Sequence, residues 1–305
     1  MYDIIVVGGG PAGMTAALYA RRNAKTVLVI EKNGFGGQIT HSPKVENYPA
    51  FATISGNELA ERMLNQILEQ GADIEFETVC EVKEEGDLKV VLTEEGGRYE
   101  ARAIILATGV KHRMLGLPGE TELVGEGVSY CAVCDGDFFT DQVVCMAGGG
   151  NSALQEALLL AQNCKKVIIL QDLPQLTGEV KLQEALAIKD NVEIHTSQTI
   201  TALVQENGAL TGVETHHKET GEVTVYPCSG LFVSIGLIPE NEPFKELAAL
   251  NAYGYFDTDE QCLTHTAGIY VAGDCRSKNV RQLTTATADG ATAALAACRY
   301  LNELG

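Results

Sequence analysis

Residues 3–13 read DIIVVGGGPAG, and this stretch decides the fold. The β-branched run predicts a buried strand, and the glycines at positions 8, 10 and 13 have the spacing G-x-G-x-x-G ahead of a predicted helix. A second apolar run, residues 26–30, completes a βαβ unit and ends at Glu31. The glycines allow backbone N–H groups to meet a pyrophosphate at the helix N-terminus, and Glu31 can accept a hydrogen bond from a ribose hydroxyl. The stretch therefore predicts a dinucleotide-binding unit.

The same pattern returns about 140 residues later, where residues 143–153 read VVCMAGGGNSA. A helix rich in alanine and leucine is predicted next, followed by an apolar run that ends at Gln171. Because strand, glycine turn, helix and parallel strand recur in this order, a second unit of the same type is predicted. The fold class is therefore α/β, with two Rossmann-like, three-layer dinucleotide-binding domains.

Two connecting segments predict that the second domain is inserted into the first. Strand-like runs at residues 104–109 and 231–235 are each followed by a segment containing glycine and proline, as expected where a chain crosses between domains. We predict a discontinuous first domain of residues 1–111 and 241–305. The second domain is predicted over residues 112–240.

Composition and charge exclude several functions. The 305 residues carry a net charge of −19, which repels nucleic acid and anionic membrane surfaces. The N-terminal residues lead directly into a strand-like run, and no stretch reaches the roughly 18 apolar residues of a membrane span. Seven of the nine cysteines are widely spaced, which indicates buried thiols in a reducing compartment. A cytoplasmic protein is expected, with neither nucleic acid nor membrane as a partner.

The remaining two cysteines form the motif CAVCD at residues 131–135. A Cys-x-x-Cys pair at the start of a helical turn favours a redox disulfide. Half of a zinc site and two inert buried thiols are the alternatives, although no second ligand pair accompanies the motif, and no metal site is predicted. Asp135 is a candidate general acid for the departing thiolate, or an ordinary residue of an Asp-Gly turn.

A further candidate, residues 272–274, reads AGD and follows an apolar run. An aspartate at such a strand end can bind cofactor hydroxyls. Arg281, Gln282 and a helix of small residues come next, and the N-terminus of that helix offers a positive dipole to an electron-rich ring.

Together these motifs resemble the low-molecular-weight bacterial thioredoxin reductases, and the resemblance covers the whole chain. The matching pieces are GGGPAG (8–13), GGQ (36–38), VENYP (45–49), ATG (107–109), CAVCD (131–135), GGGNSA (148–153), GD (273–274) and RQ (281–282). The resemblance implies FAD in the first domain, a homodimer, and a cysteine pair that passes electrons from flavin to thioredoxin. It also implies that Cys134 lies nearer the flavin, that Cys131 attacks the partner's disulfide, and that Asp135 supplies the proton. The FAD-binding residues it implies are Gly8, Gly10, Pro11, Ala12, Gly13, Glu31, Gly37, Gln38, Asn47, Ala107, Thr108, Gly109, Gly273, Asp274, Arg281 and Gln282.

The chain departs from the family at the end of the second βαβ unit. Members that use NADPH have a histidine and two arginines there, with a third arginine four residues beyond the second. The corresponding residues are Gln171, Asp172, Leu173 and Thr177, so the guanidinium groups are absent and a negative charge is added. NADPH is therefore expected to bind poorly.

Three electron routes stay open at this point. The favoured one resembles the ferredoxin-dependent flavin thioredoxin reductases, in which reduced ferredoxin is the donor, although the charge of −19 opposes an acidic ferredoxin. The second is use of NADH, or weak use of NADPH, because Gly148, Gly150 and Ala153 survive. The third is a flavin dithiol oxidase that passes electrons to oxygen. A sensor without turnover is disfavoured, since the cysteine pair would then have no use.

Overall fold

The computed structural model describes residues 1–42 and 45–304. Pro43, Lys44 and Gly305, which belong to the predicted first domain, lie outside the described residues. The chain divides into two compact units, Met1–Lys111 with Ile238–Gly305, and His112–Leu237. The division between the units falls at residues 111–112 and 237–238.

The first unit is built on a mainly parallel sheet. Its strands are β1 (Tyr2–Val7), β2 (Val27–Ile30), β3 (Asp73–Glu75), β4 (Val79–Glu85), β5 (Leu88–Thr93), β6 (Arg98–Leu106) and β17 (Ile269–Val271). The order is β3-β2-β1-β6-β5-β4, and β17 pairs in parallel with the second half of β6. β4 and β5 are antiparallel. Short strands β7 (Val110–His112) and β16 (Leu237–Pro239) form a separate two-stranded sheet.

Alternating apolar residues of β1 bury both faces of this sheet. Ile4 and Val6 face a core with the small residues of helices α1 (Pro11–Arg22) and α6 (Leu283–Glu303). Ile5 and Val7 face a second core on the opposite side. Helix α2 (Gly56–Glu69) also belongs to this unit and begins with a Ser55 cap.

The second unit repeats the plan with a parallel five-stranded sheet of order β11-β10-β9-β15-β8. Its elements are β8 (Val128–Ser129), α3 (Ala132–Asp135), β9 (Val143–Ala147), α4 (Asn151–Asn163), β10 (Lys166–Leu170), α5 (Val180–Ala187), β11 (Val192–His195), β12 (Gln198–Glu206), β13 (Ala209–His217), β14 (Val223–Pro227) and β15 (Gly230–Val233). One face packs against α3, α4 and α5, and the other carries residues of the antiparallel sheet β12-β13-β14. The predicted α/β class with two Rossmann-like units is confirmed.

Across the described ranges, no helix combines the length and the hydropathy that a bilayer crossing needs. The cytoplasmic location stays a prediction.

Candidate cofactor turns and redox disulfide

The predicted cofactor residues of the first unit lie where parallel strands end. Residues 8–13 follow β1, Glu31 follows β2, residues 107–109 follow β6, and residues 273–274 follow β17. The carboxyl ends of parallel strands meet at one edge of a sheet, which is where ligands bind in open α/β sheets. The fold therefore brings these separated segments to one edge.

Glycine is needed in the first turn for two different reasons, close contact with the backbone and open space for a ligand. Gly8 has φ 111°, and a Cβ there would lie 2.3 Å from the carbonyl oxygen of Ala107. A Cβ on Gly13 would lie 1.9 Å from the carbonyl oxygen of Gly8. Gly10 has φ −76°, and no described atom lies within 4 Å of its added Cβ. The space in front of α1 is thus open at Gly10, as a pyrophosphate requires.

Glu31 borders this turn at the end of β2. Its Oε2 accepts a hydrogen bond from the Gly9 N–H at 2.6 Å, and its Oε1 accepts one from the Asn33 N–H at 2.9 Å. These bonds orient the carboxylate, and each oxygen keeps a further lone pair for a ribose hydroxyl.

Pro11 and Ala12 form the first turn of α1, next to two other predicted segments. A Cβ on Gly273 would lie 2.8 Å from Ala12 Cβ, so the loop after β17 lies directly against this helix. Gly37 and Gln38 begin a 3-10 turn, and a Cβ on Gly37 would lie 3.5 Å from Gly10 Cα. These segments surround the open space at Gly10.

Asp274 offers a buried acceptor that lacks a donor. Its Oδ1 is buried without a hydrogen-bond partner among the described residues, and burial raises the pKa of this carboxyl to about 6. A buried polar atom without a partner is costly, and a cofactor hydroxyl would supply the missing donor. This orphaned oxygen is the observation that best fits a bound dinucleotide with sugar hydroxyls.

Three further predicted residues, Arg281, Gln282 and Asn47, lie close to that loop. Arg281 Nε donates to the Asp274 carbonyl oxygen at 3.3 Å, and its guanidinium stacks on the ring of Tyr255 at 4.3 Å. Gln282 caps α6, and Asn47 Nδ2 donates to Gln282 Oε1 at 3.4 Å.

Thr108 and Gly109 complete the set after β6. Thr108 Oγ1 donates to Asn241 Oδ1 at 2.8 Å, and Asn241 Nδ2 donates to the carbonyl oxygens of Gly254 and Cys275. Gly109 has φ 67°, which favours glycine. The buried Asn241, which sequence reasoning missed, thus fixes the ATG segment.

We expect Gly10→Ala to weaken binding of FAD by roughly tenfold, about 1.4 kcal/mol, with the apoprotein fold intact. The methyl group would enter open space in the apoprotein but would obstruct the close approach of a pyrophosphate. Titration of FAD into apoprotein measures the effect. Gly34→Ala, an exposed glycine whose added Cβ also meets no described atom, is the matched control and should bind as the wild type does. Unchanged affinity for FAD in Gly10→Ala would reject the assignment of the pyrophosphate to this turn.

The second glycine turn has the same backbone geometry as the first. Gly148 has φ 121°, and its added Cβ would lie 2.3 Å from the carbonyl oxygen of Ser234, as Gly8 does against Ala107. Gly150 is the N-cap of α4 with extended backbone, and the buried Ala153 stands at the third glycine position. The glycine turn that the sequence predicts to bind phosphate is therefore intact.

The end of β10, however, differs from the end of β2. The side chain of Gln171 is buried against Gly149 and donates to the Gln175 carbonyl oxygen at 3.3 Å. Exposed Asp172 forms an ion pair with Lys218 at 3.2 Å. Thr177 donates its N–H to the Gly149 carbonyl oxygen at 2.8 Å. No arginine stands at these positions to hold a 2′-phosphate.

The cysteine pair forms a disulfide at the start of α3. Cys131 is the N-cap residue, and its Sγ accepts from the Cys134 N–H at 3.2 Å. Ser129 accepts from the Cys131 N–H at 3.1 Å and donates its hydroxyl to Asp135 Oδ2 at 2.6 Å. Sequence reasoning missed Ser129, which orients both ends of the loop. No metal-ligand cluster of His, Cys, Asp and Glu occurs in the described part of the chain.

Asp135 has the features of a proton donor. Its Oδ1 is buried without a partner among the described residues. Burial raises the pKa of the carboxyl, while the hydrogen bond from Ser129 lowers it less. A carboxyl that holds its proton to higher pH beside a disulfide can protonate a departing thiolate.

Glu156 is a second carboxyl beside the disulfide loop. It lies on α4 and accepts from the Ala132 N–H at 3.4 Å, and burial raises its pKa to about 7. The helical spacing from Ala153 to Leu160 places position 156 next to the buried face, and that spacing is the sequence signal that could have found it.

The chain matches the pyridine nucleotide-disulphide oxidoreductase family over residues 2–290. It is 40% identical over 304 residues to a thioredoxin reductase of Listeria monocytogenes, covering 100% of this chain and 95% of that protein. It is 39% identical over 305 residues to a thioredoxin reductase of Bacillus subtilis, covering 100% and 96%.

A solved structure agrees with these relatives. The crystal structure of thioredoxin reductase from Streptococcus pyogenes aligns with a TM-score of 0.93 at 39% identity, covering 99% of each chain.

Proposed function

Because the chain belongs to the pyridine nucleotide-disulphide oxidoreductases, and within them to the low-molecular-weight thioredoxin reductases, we propose that it reduces the disulfide of thioredoxin through Cys131 and Cys134. The family's cofactor is FAD, and the protein is a flavin disulfide oxidoreductase. The observation that carries the proposed chemistry is the disulfide with the buried carboxyl of Asp135 directly after it.

The first unit supplies the residues that would hold FAD. The glycine turn and the N-terminus of α1 suit its pyrophosphate, Glu31 suits a ribose, and the unpaired Asp274 oxygen suits a hydroxyl. When bound, FAD would supply the two electrons that reduce the Cys131–Cys134 disulfide.

The cysteine pair and Asp135 then carry the remaining steps. Reduction breaks the S–S bond with two electrons. Asp135 gives a proton to the departing Cys131 sulfur and takes it back when that thiol attacks, while solvent supplies the two protons of reduced thioredoxin. The Cys131 thiolate attacks one sulfur of the thioredoxin disulfide, forming a mixed disulfide and releasing the other sulfur as a thiolate. The Cys134 thiolate attacks Cys131 Sγ, which releases reduced thioredoxin and restores the starting disulfide. The assignment of the two roles to Cys131 and Cys134 rests on the family resemblance.

As electron donor we propose NADH. The intact turn at Gly148 and Gly150 supports a nicotinamide dinucleotide at the second unit. The absence of arginine at Asp172 and Thr177 disfavours the 2′-phosphate of NADPH, because charge-assisted hydrogen bonds are lost and Asp172 repels the dianion.

The other routes remain outcomes of the same experiment. Reduced ferredoxin, which the sequence reasoning favoured, gains no support from the second unit, where six Lys and Arg stand against sixteen Asp and Glu. That balance repels an acidic protein more than it repels NADH, whose negative charge is confined to the pyrophosphate that the glycine turn would hold. A dithiol oxidase would consume oxygen with dithiols and would leave thioredoxin oxidised.

An anaerobic titration of the flavoprotein tests the donor. NADH should bleach the flavin and support thioredoxin reduction, with a KM at least about tenfold below that for NADPH, since lost charge-assisted hydrogen bonds cost on that order. Asp172→Arg should lower the KM for NADPH and leave the KM for NADH unchanged, so the preference for NADH should become smaller. Asp190→Arg changes the same net charge at another exposed site of this unit and should leave both KM values unchanged. Bleaching by reduced ferredoxin but by neither dinucleotide would reject NADH.

A homodimer is proposed from the family resemblance. A groove of about 400 Å³ between α1, α2 and α6 of the first unit is lined in part by Leu18, Phe51 and Met63, and it offers apolar surface for such a contact.

A further inference from the structure

We propose that Asp289 is a positioning residue for the cofactor site, because it holds the ammonium group of Lys278 away from Asp274 and so keeps the Asp274 carboxylate free to accept from FAD. The inference rests on the proposed assignment of Asp274 to that site. Asp289 lies on α6 and follows no motif that the sequence reasoning used.

The Asp289 carboxylate is saturated with donors. Its Oδ2 accepts from Arg276 Nε at 2.9 Å, from Lys278 Nζ at 2.9 Å and from the Gly273 N–H at 3.1 Å. Its Oδ1 accepts from Arg276 Nη2 at 3.0 Å. Burial raises the pKa of Asp289, but the donors from Arg276 and Lys278 outweigh burial and lower it. One ionised carboxylate thus ties the loop at residues 273–278 to the helix.

Lys278 lies between the buried carboxylate of Asp289 and the partly exposed carboxylate of Asp274. Its Nζ is 2.9 Å from Asp289 Oδ2 but 3.9 Å from Asp274 Oδ1, which is beyond hydrogen-bond distance. Only 5% of the Lys278 side chain is exposed, so water does not solvate its charge well. Without the Asp289 charge, the nearest alternative partner is Asp274, about one ångström further away.

A direct hydrogen bond from Lys278 to Asp274 would occupy the acceptor that a cofactor hydroxyl needs. Asp274 Oδ1 has no hydrogen-bond donor among the described residues while Lys278 donates to Asp289. Arg276 is less able to move towards Asp274, because two other acceptors hold its guanidinium group. Its Nη2 also donates to Glu260 Oε2 at 3.0 Å, and its Nη1 donates to the Asp259 carbonyl oxygen at 3.3 Å. Lys278, rather than Arg276, is therefore the cation that would compete with a cofactor hydroxyl for Asp274.

The test measures FAD affinity by titrating FAD into apoprotein and following flavin fluorescence. Asp289→Asn keeps the shape but removes the charge, and we expect the dissociation constant to rise about tenfold, as for loss of one charge-assisted hydrogen bond. Adding Lys278→Met to Asp289→Asn should restore the affinity to within about threefold of the wild type. A merely structural role of Asp289 predicts no such rescue, so a double variant as weak as Asp289→Asn would overturn the proposal.

Two single variants test the proposal independently of Asp289→Asn. Lys278→Met alone should bind FAD within about twofold of the wild type, and a tenfold loss would show that Lys278 itself binds the cofactor, which overturns the proposal even where Asp289→Asn does not fold. Asp274→Asn should weaken binding on its own. Wild-type affinity in Asp274→Asn would reject the assignment of Asp274, and the inference with it, while leaving the cysteine chemistry of the proposed function untouched.

Discussion

Replacing Cys134 with serine should abolish thioredoxin reduction while FAD stays bound. The disulfide at Cys131 can no longer form, so no group remains to take up the electrons and pass them to the partner. We expect turnover to fall by roughly a thousandfold or more, the order seen when an enzyme loses a covalent group. Thioredoxin-coupled reduction of a chromogenic disulfide measures turnover, and the flavin absorbance of the purified variant reports the bound cofactor.

The remaining thiol gives this prediction a second readout. In Cys134→Ser, the Cys131 thiol can attack oxidised thioredoxin, but no neighbouring thiol resolves the mixed disulfide, so a covalent complex should accumulate. Cys131→Ser should lose turnover equally and accumulate less of that complex. Cys80→Ser removes an exposed free cysteine of the first unit and should keep full activity. Normal turnover in Cys134→Ser would reject the cysteine pair as the redox centre.

Local motifs predicted the parts of the site that are continuous in sequence. The strand, glycine turn and helix at residues 3–22 follow from apolar pattern and glycine spacing, and so does their repeat at residues 143–161. The Cys131–Cys134 pair could be read in the same way, because both partners stand in one turn. Which of the predicted residues touch a cofactor remains a prediction.

Residues that act through distant contacts could not be predicted. Ser129 reaches Asp135 across the loop, Asn241 reaches Thr108 over 133 positions, and Asp289 reaches the loop after β17. Each is a common residue type without a motif, so only the fold reveals its partner. Glu156 lay in a helix whose apolar spacing carried a weak signal, but a helical glutamate is usually solvated, and its burial depends on the contact with α3.

The exact residue at which the chain passes from one unit to the other stays a prediction. Glycine and proline at residues 236–239 mark a turn, but the position where packing changes from one unit to the other depends on tertiary contacts.

Asp135→Asn should lower the rate of disulfide reduction by about a hundredfold, the usual contribution of a positioned general acid. The amide keeps the size of the side chain and its hydrogen bond with Ser129, but it cannot give a proton to the departing thiolate. Rapid anaerobic mixing of oxidised enzyme with reductant across a pH series, followed by the flavin absorbance as the Cys131–Cys134 disulfide is reduced, measures the step. Asp137→Asn, an exposed acid two residues later that accepts from Asn163, is the matched control and should keep the wild-type rate and profile.

Ser129→Ala tests the direction in which the Ser129 hydroxyl shifts the pKa of Asp135. A general acid works while protonated, so the rate should fall as pH rises through the pKa of Asp135, which burial raises above its ordinary value. The Ser129 hydroxyl donates to the ionised carboxylate and lowers that pKa, hence its removal should raise the pKa further. The alkaline limb of the pH–rate profile should therefore move to higher pH in Ser129→Ala and should disappear in Asp135→Asn. A limb that stays in place in both variants would mean that another group, such as Glu156 with its pKa of about 7, supplies the proton.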